Sequence, residues 1–133
     1  CENLKVTYVI SFDDVSIGTQ TFVAEVTRTR FVEEIAPSRT FVRLKDVEEL
    51  KKEGLARGGS LHNALVFGND GLLNDTQMRF ANECARHKAL DLLGDLALVG
   101  LPLQAHVIGY KAGHRLHLRL VDRLRRLCKG GWS

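Results

Sequence analysis

From Asn82 to Val99 the chain runs without a proline, and Cys84, Leu90, Leu93, Ala97 and their neighbours supply apolar faces before Gly100 and Pro102 close the run. This is the strongest helix signal in the sequence, with a stop of the expected kind at its end. A second helix is predicted from Arg115 to Cys128, where Leu116, Leu120, Leu124 and Leu127 recur at helical spacing. Its closing bases Arg123, Arg125, Arg126 and Lys129 suit the negative end of a helix dipole in solvent.

Strands fill the remainder. Lys5 to Phe12 and Thr21 to Thr27 alternate in part and are rich in β-branched and aromatic residues, so they are expected to pair. Thr29 to Ile35 reads as a helical turn stopped by Pro37, and Thr40 to Arg43 as extended chain. A helix is predicted from Asp46 to about Glu53, with Val47 and Leu50 on one face, Asp46 as N-cap and Gly54 just past the end. Gly58-Gly59 then leads into a strand from Leu61 to Phe67, followed by a tight turn at Asn69-Asp70-Gly71. Gln104 to Tyr110 is a last strand, and Lys111-Ala112-Gly113 a turn. The fold class expected is α+β: a small β-sheet packed against two main α-helices, with a βαβ insert at about residues 41–67.

A chain of 133 residues has room for one domain, which buries roughly two-thirds of its unfolded surface. Its 44% hydrophobic and 26% charged residues exclude disordered and fibrous classes. A net charge of +3, with acids and bases interspersed, gives no ground for a nucleic-acid partner. Cys1, Cys84 and Cys128 form no CxxC pair, and an odd, sparse count points to a reducing, cytoplasmic setting. The longest apolar stretch, Leu96 to Leu103, is broken by Gly100 and Pro102 and too short to span a membrane. No signal-peptide pattern precedes the fold. The first residue is Cys1 rather than methionine, which leads to the expectation of a chain processed or cut from something longer.

His87 and Asp91 are the first chemical candidates. Spacing of i, i+4 sets imidazole and carboxylate on one helix face, where they can share a metal ion or form an ordinary ion pair. Asp95 follows one turn later, placed to orient an imidazole. His114, after Gly113 at a strand-to-helix junction, is either a rigidly held acid–base group or a helix-start residue in solvent. Gly58-Gly59-Ser60 permits close backbone approach to a ligand and equally a tight turn. Cys84 is expected in the core rather than as a nucleophile. His62, His106 and His117 have no such context and read as structural or surface residues.

These pieces occur in an order. Ser38-Arg39-Thr40-Phe41, Gly54-Leu55, Gly58-Gly59-Ser60, Leu73-Asn74, Arg79-Phe80, Arg86-His87-Lys88, Asp91, Gly94-Asp95-Leu96 and Gly113-His114 follow one another as in a known family. From about Val6 to Leu127 the chain resembles the second domain of the UDP-3-O-acyl-N-acetylglucosamine deacetylases of lipid A synthesis. The whole of residues 1–133 is expected to be that C-terminal domain. The resemblance implies two similar domains with the active site between them, and zinc as cofactor.

His87 and Asp91 are then the implied zinc ligands, and His114 the acid that protonates the leaving amine, with Asp95 tuning its charge. Lys88 and Lys111 are implied to meet the substrate diphosphate, Lys88 counting also with the catalytic set. Thr40 is implied to stabilise the oxyanion, a role its hydroxyl donor suits. Phe12 matches an aromatic that lies against uracil, and Phe41 lines the sugar site. The insert is implied to form a passage for the acyl chain, with Leu44, Val47, Ala56, Gly59, Ser60, Ala64 and Val66 at substrate-contacting positions.

The family's third zinc ligand, a histidine, and its glutamate base belong to the first domain and have no counterpart here. The chain alone is therefore expected to be inactive, and its uncovered face to self-associate. The competing expectation is a non-catalytic domain that binds a UDP-sugar or acyl chain. One position departs from the family pattern: His117 stands where asparagine is usual.

Overall fold

The computed structural model of the chain describes residues 2–52, 63–74 and 76–130. Strands β1 (Lys5–Ser11) and β2 (Thr19–Glu25) pair antiparallel, as their alternation leads one to expect. A turn of helix α1 (Arg28–Arg30) runs into a π turn, Phe31–Ile35, before β3 (Thr40–Arg43), α2 (Leu44–Lys52) and β4 (Ala64–Gly68). A short β5 (Gly71–Leu72) precedes the long α3 (Glu83–Leu96), which tightens into a 3-10 turn at Ala97–Val99. Then come β6 (His106–Tyr110) and α4 (His114–Lys129).

Among the described residues the strands form two three-stranded sheets, ordered β2-β1-β6 and β3-β4-β5. β6 joins β1 in parallel, a connection that α3 makes possible by crossing the sheet face. β3 and β4 are likewise parallel around α2, which is the expected βαβ unit. The architecture is α+β, as the sequence predicts.

One core serves both sheets. Val6, Tyr8 and Ile10 of β1 and Phe22 and Ala24 of β2 point inward, and the second sheet adds Leu65 and Phe67. The buried seam of α3 is Cys84, Ala85, Ala89, Leu92 and Leu96, while Leu90 and Leu93 pack at its margin and Ala97 is exposed. Cys84 is fully buried and its thiol is pushed up to about 12 by burial, as suits a core residue.

Several boundaries differ from expectation for local reasons. α2 begins at Leu44, not Asp46. Asp46 takes the Arg43 guanidinium through both oxygens, at 2.7 and 3.1 Å, and so sits in the first turn as an ion-pair partner. β4 begins at Ala64 rather than Leu61, and Leu61, His62, Glu53 and Gly54 lie outside the described residues. On α4 the buried residues are His117 and Val121, flanked by Leu120 and Leu124. Leu116 and Leu127 are 53% and 57% exposed, because that helix touches the core along a stripe narrower than its leucines.

Two polar clips fix the sheet ends. Arg39 donates to the fully buried Glu83 through Nε (2.9 Å), a terminal nitrogen (3.1 Å) and its backbone N–H (3.0 Å). Arg79 adds its backbone N–H at 2.8 Å, so Glu83 pins the start of α3 to the chain before β3. Beside β5, the Asn74 amide accepts from Val66 N at 2.6 Å and donates to the Ala64 carbonyl at 3.0 Å.

Gly109 lies opposite Tyr8 in the β1–β6 register, and the Tyr8 ring occupies the space a side chain would fill. A β-carbon there would stand 2.5 Å from Tyr8 Cε2, inside a ring with no exposure and no room to swing. Gly109→Ala is expected to destabilise the fold by about 1–3 kcal/mol, the usual cost of overpacking. Chemical denaturation measures this, and an unchanged midpoint would refute it.

Candidate functional site

A cleft of about 470 Å³ opens where the ends of β1 and β3 meet the middle of α3. Phe12 and Phe41 form one wall, edge to face at 5.8 Å between ring centres, and the Arg43 guanidinium lies 5.2 Å over the Phe12 ring. His87, Lys88 and Asp91 of α3 form the opposite wall, and Thr40 and Lys111 stand at its rim. Lys111 has φ of 47°, a conformation seldom held by a residue with a side chain, which sets the turn between β6 and α4.

His87 Nδ1 lies 3.1 Å from the Ser38 carbonyl oxygen. A carbonyl only accepts, so Nδ1 carries a proton, and Nε2 faces Asp91 Oδ1, 3.3 Å away, donating to it when the ring is charged. Burial opposes charge on both groups, yet their mutual hydrogen bond outweighs it. His87 is held above its ordinary value, helped by the Ser38 carbonyl, and Asp91 below its own, helped by Lys88 and His114. Lys88 Nζ approaches Asp91 Oδ2 at 3.7 Å.

A second cluster adjoins the first. His114, the first residue of α4, projects from the Gly113 N-cap with its side chain 61% exposed. Its Nδ1 is 2.7 Å from Asp95 Oδ2, and its Nε2 is 3.8 Å from Asp91 Oδ2. His117 Nδ1 meets the same Asp95 oxygen at 2.9 Å, and its Nε2 meets the Tyr8 hydroxyl at 2.9 Å. Burial lowers the pKa of His117 despite Asp95 beside it, and raises that of Tyr8.

A model of the UDP-3-O-acyl N-acetylglycosamine deacetylase family matches residues 1–126. The chain belongs to that family. Proteins named UDP-3-O-acyl-N-acetylglucosamine deacetylase from Leptospira biflexa and from a Nostoc species are each 49% identical to it, over 119 and 123 residues and 90% of the chain. One from Bdellovibrio bacteriovorus is 43% identical over 121 residues, 91% of the chain. The chain spans 39%, 44% and 40% of the length of these three curated relatives.

Within this deacetylase-family chain, the residues singled out from sequence divide three ways. Phe12, Thr40, Phe41, His87, Lys88, Asp91 and Lys111 line one cleft, and His114 with Asp95 stands at its edge. Of the acyl-passage positions, Leu44 is 41% exposed, Val47 and Ala64 are half-buried, and Val66 is buried. Val66 is not part of the main core, so its face of β4 is turned away from it. Ala56, Gly59 and Ser60 lie outside the described residues. A larger groove of about 600 Å³ between β6 and α4 is lined by none of the singled-out residues. No helix among the described residues is long and apolar enough to cross a membrane.

His117 is what sequence reasoning passed over. Among the described residues, Asp95, His114 and His117 are the one group of three metal-capable side chains whose ligand atoms lie within 4.8 Å of one another. Each short contact in it already joins a ring nitrogen to Asp95, and His117 spends its other nitrogen on Tyr8. The advance signals were its place where the family usually has asparagine and its position on the stripe shared with Val121 and Leu124, an apolar helix face.

Proposed function

We propose that the chain is the second domain of a zinc-dependent deacetylase acting on UDP-3-O-acyl-N-acetylglucosamine, and that it supplies half of the active site. The observation that carries this is the convergence of His87 and Asp91 with Phe12, Phe41 and two lysines on one cleft, His114 standing 3.8 Å from Asp91. The donor set fits zinc, which takes imidazole nitrogen and carboxylate oxygen together. The Ser38 carbonyl fixes the His87 tautomer that leaves Nε2 available, the support that metal-binding imidazoles commonly have. A bound zinc would polarise the amide carbonyl and acidify water.

The remaining roles belong to the chain's own groups. His114 Nε2 faces the cleft because Nδ1–H is engaged by Asp95, so in the imidazolium form it is the Nε2 proton that passes to the departing amine, leaving a neutral ring protonated at Nδ1. Thr40 offers a hydroxyl to the developing oxyanion. Lys88 and Lys111 draw in the diphosphate, Phe12 stacks on uracil, and Phe41 borders the sugar. The βαβ unit receives the acyl chain along Leu44, Val47, Ala64 and Val66. Two ligands hold zinc weakly, so a third ligand and the general base come from a first domain, and the chain alone is inactive. A cytoplasmic setting accords with this substrate.

The test is His114→Ala in the two-domain enzyme. Turnover is expected to fall roughly 10²–10⁴-fold, the usual contribution of a positioned acid, with zinc content unchanged. Wild-type turnover in this variant would remove His114 from the mechanism.

A further inference from the structure

We propose that His117 is a positioning residue for the reaction: its imidazole holds the Asp95 carboxylate in the orientation from which Asp95 aligns His114. The inference rests on the reading of His114 as the general acid.

The geometry begins with one shared atom. Asp95 Oδ2 takes His114 Nδ1 at 2.7 Å and His117 Nδ1 at 2.9 Å. His114 is mostly exposed, and among the described residues its other side-chain partners besides Asp95 are the more distant Asp91 oxygen and the His117 ring, edge-on at 6.0 Å between centres. Its orientation is therefore only as firm as that of Asp95. A carboxylate tied to one exposed ring can rotate with it; tied also to a fixed ring, it cannot.

His117 is such a ring. It is 3% exposed, and its Nε2 lies 2.9 Å from the hydroxyl of Tyr8, which is fully buried in β1. Tyr8 in turn reaches the Ala112 carbonyl at 2.7 Å, in the turn just before His114. Gly109 leaves the gap through which the Tyr8 ring passes. A rigid path thus runs from the sheet, through His117, to Asp95 on α3.

Proton inventory fixes the direction of each bond. The Asp95 carboxylate and the Ala112 carbonyl only accept. His117 Nδ1–H must therefore donate to Asp95, and the single Tyr8 hydroxyl proton is directed at the Ala112 carbonyl, with the neutral His117 Nε2 at 2.9 Å as its second, weaker acceptor. The same rule puts a proton on His114 Nδ1 and leaves its Nε2 turned to the cleft. The groups facing His117 are Asp95 and Lys88 from α3, His114 from its own helix and Tyr8 from β1. Burial favours the neutral ring, so His117 works as a hydrogen-bonding strut and not as a second positive charge.

His117→Phe and His117→Asn in the two-domain enzyme test this, read by kcat, KM, the pH dependence of turnover and the nitrogen NMR signature of the His114 ring. Phe keeps the bulk and removes the strut. It is expected to lower kcat about 10–100-fold with little change in KM, to displace the limb of the pH profile that belongs to the acid, and to let His114 mix its tautomers. Asn, whose amide can still donate to Asp95, is expected to restore most of kcat and the single tautomer. A folded His117→Phe enzyme with wild-type kcat, pH profile and His114 tautomer would overturn the proposal. So would Asn behaving no better than Phe, or tautomer mixing at His114 already in the wild type, a reading that holds even where Phe does not fold. His114→Ala separates the two levels: wild-type turnover there sinks the acid assignment itself, whereas its loss without any effect of His117→Phe sinks only the positioning role.

Discussion

Replacing Glu83 with alanine is expected to cost the fold about 3–5 kcal/mol, the range for removing one member of a buried ion pair. Glu83 has no exposed surface, and both its oxygens are taken, by Arg39 and by the backbone N–H groups of Arg39 and Arg79. The variant strands the Arg39 guanidinium, whose side chain is 13% exposed, with Thr76 and the Gln77 carbonyl as its remaining partners among the described residues. Thermal melting would show a drop of roughly 10–20 °C for a domain of this size. A drop of only a few degrees would mean that the pair is not what fastens α3 to the chain before β3.

The same carboxyl sets a pH dependence. Burial alone would raise its pKa, but the Arg39 hydrogen bonds and the two backbone donors outweigh that and hold it below the ordinary glutamate value of about 4.3. A depressed folded-state pKa means stability that is complete above the unfolded value and lost as pH falls through the folded one. Wild type should therefore lose stability below about pH 4 in part through Glu83, and Glu83→Gln should flatten that part of the curve.

On the proposed assignment of Asp91 as a zinc ligand, Asp91→Ala in the two-domain enzyme is expected to remove the metal and with it about 10³-fold or more of turnover, since Lewis-acid stabilisation contributes several kcal/mol. The fold should tolerate the change. Asp91 is half-buried near a cleft, and His87 keeps its hydrogen bond to the Ser38 carbonyl. Metal analysis beside a melting curve separates the two effects in the intact enzyme. A stable variant that retains stoichiometric zinc would show that the metal is held elsewhere, and Asp95, His114 and His117 would then be the group to examine.

What the sequence revealed of this fold was whatever repeats over short range. The helical period of α3, the alternation of β1 and β2 and the Gly–Pro punctuation are local, and each element lies within a few residues of its expected bounds. His87 and Asp91 shared a helix face by spacing alone, and only the ordered motifs around them pointed to a metal rather than an ion pair. The parallel pairing of β1 with β6 was not legible, because it joins Lys5 to His106 across most of the chain. His117 was missed for the same reason: its partner Tyr8 stands 109 residues away. Asp46 had the right type for an N-cap, but an arginine three residues earlier competes for the same oxygens.

Asn74 carries a consequence for solubility. A sheet strand that leaves N–H and C=O groups open invites another chain to continue it. On β4 those groups, at Val66 and Ala64, are filled by a side-chain amide where the backbone of β5 departs. On that side β4 therefore ends its own ladder, and these two groups offer no rung on which a neighbouring molecule could build a fibre.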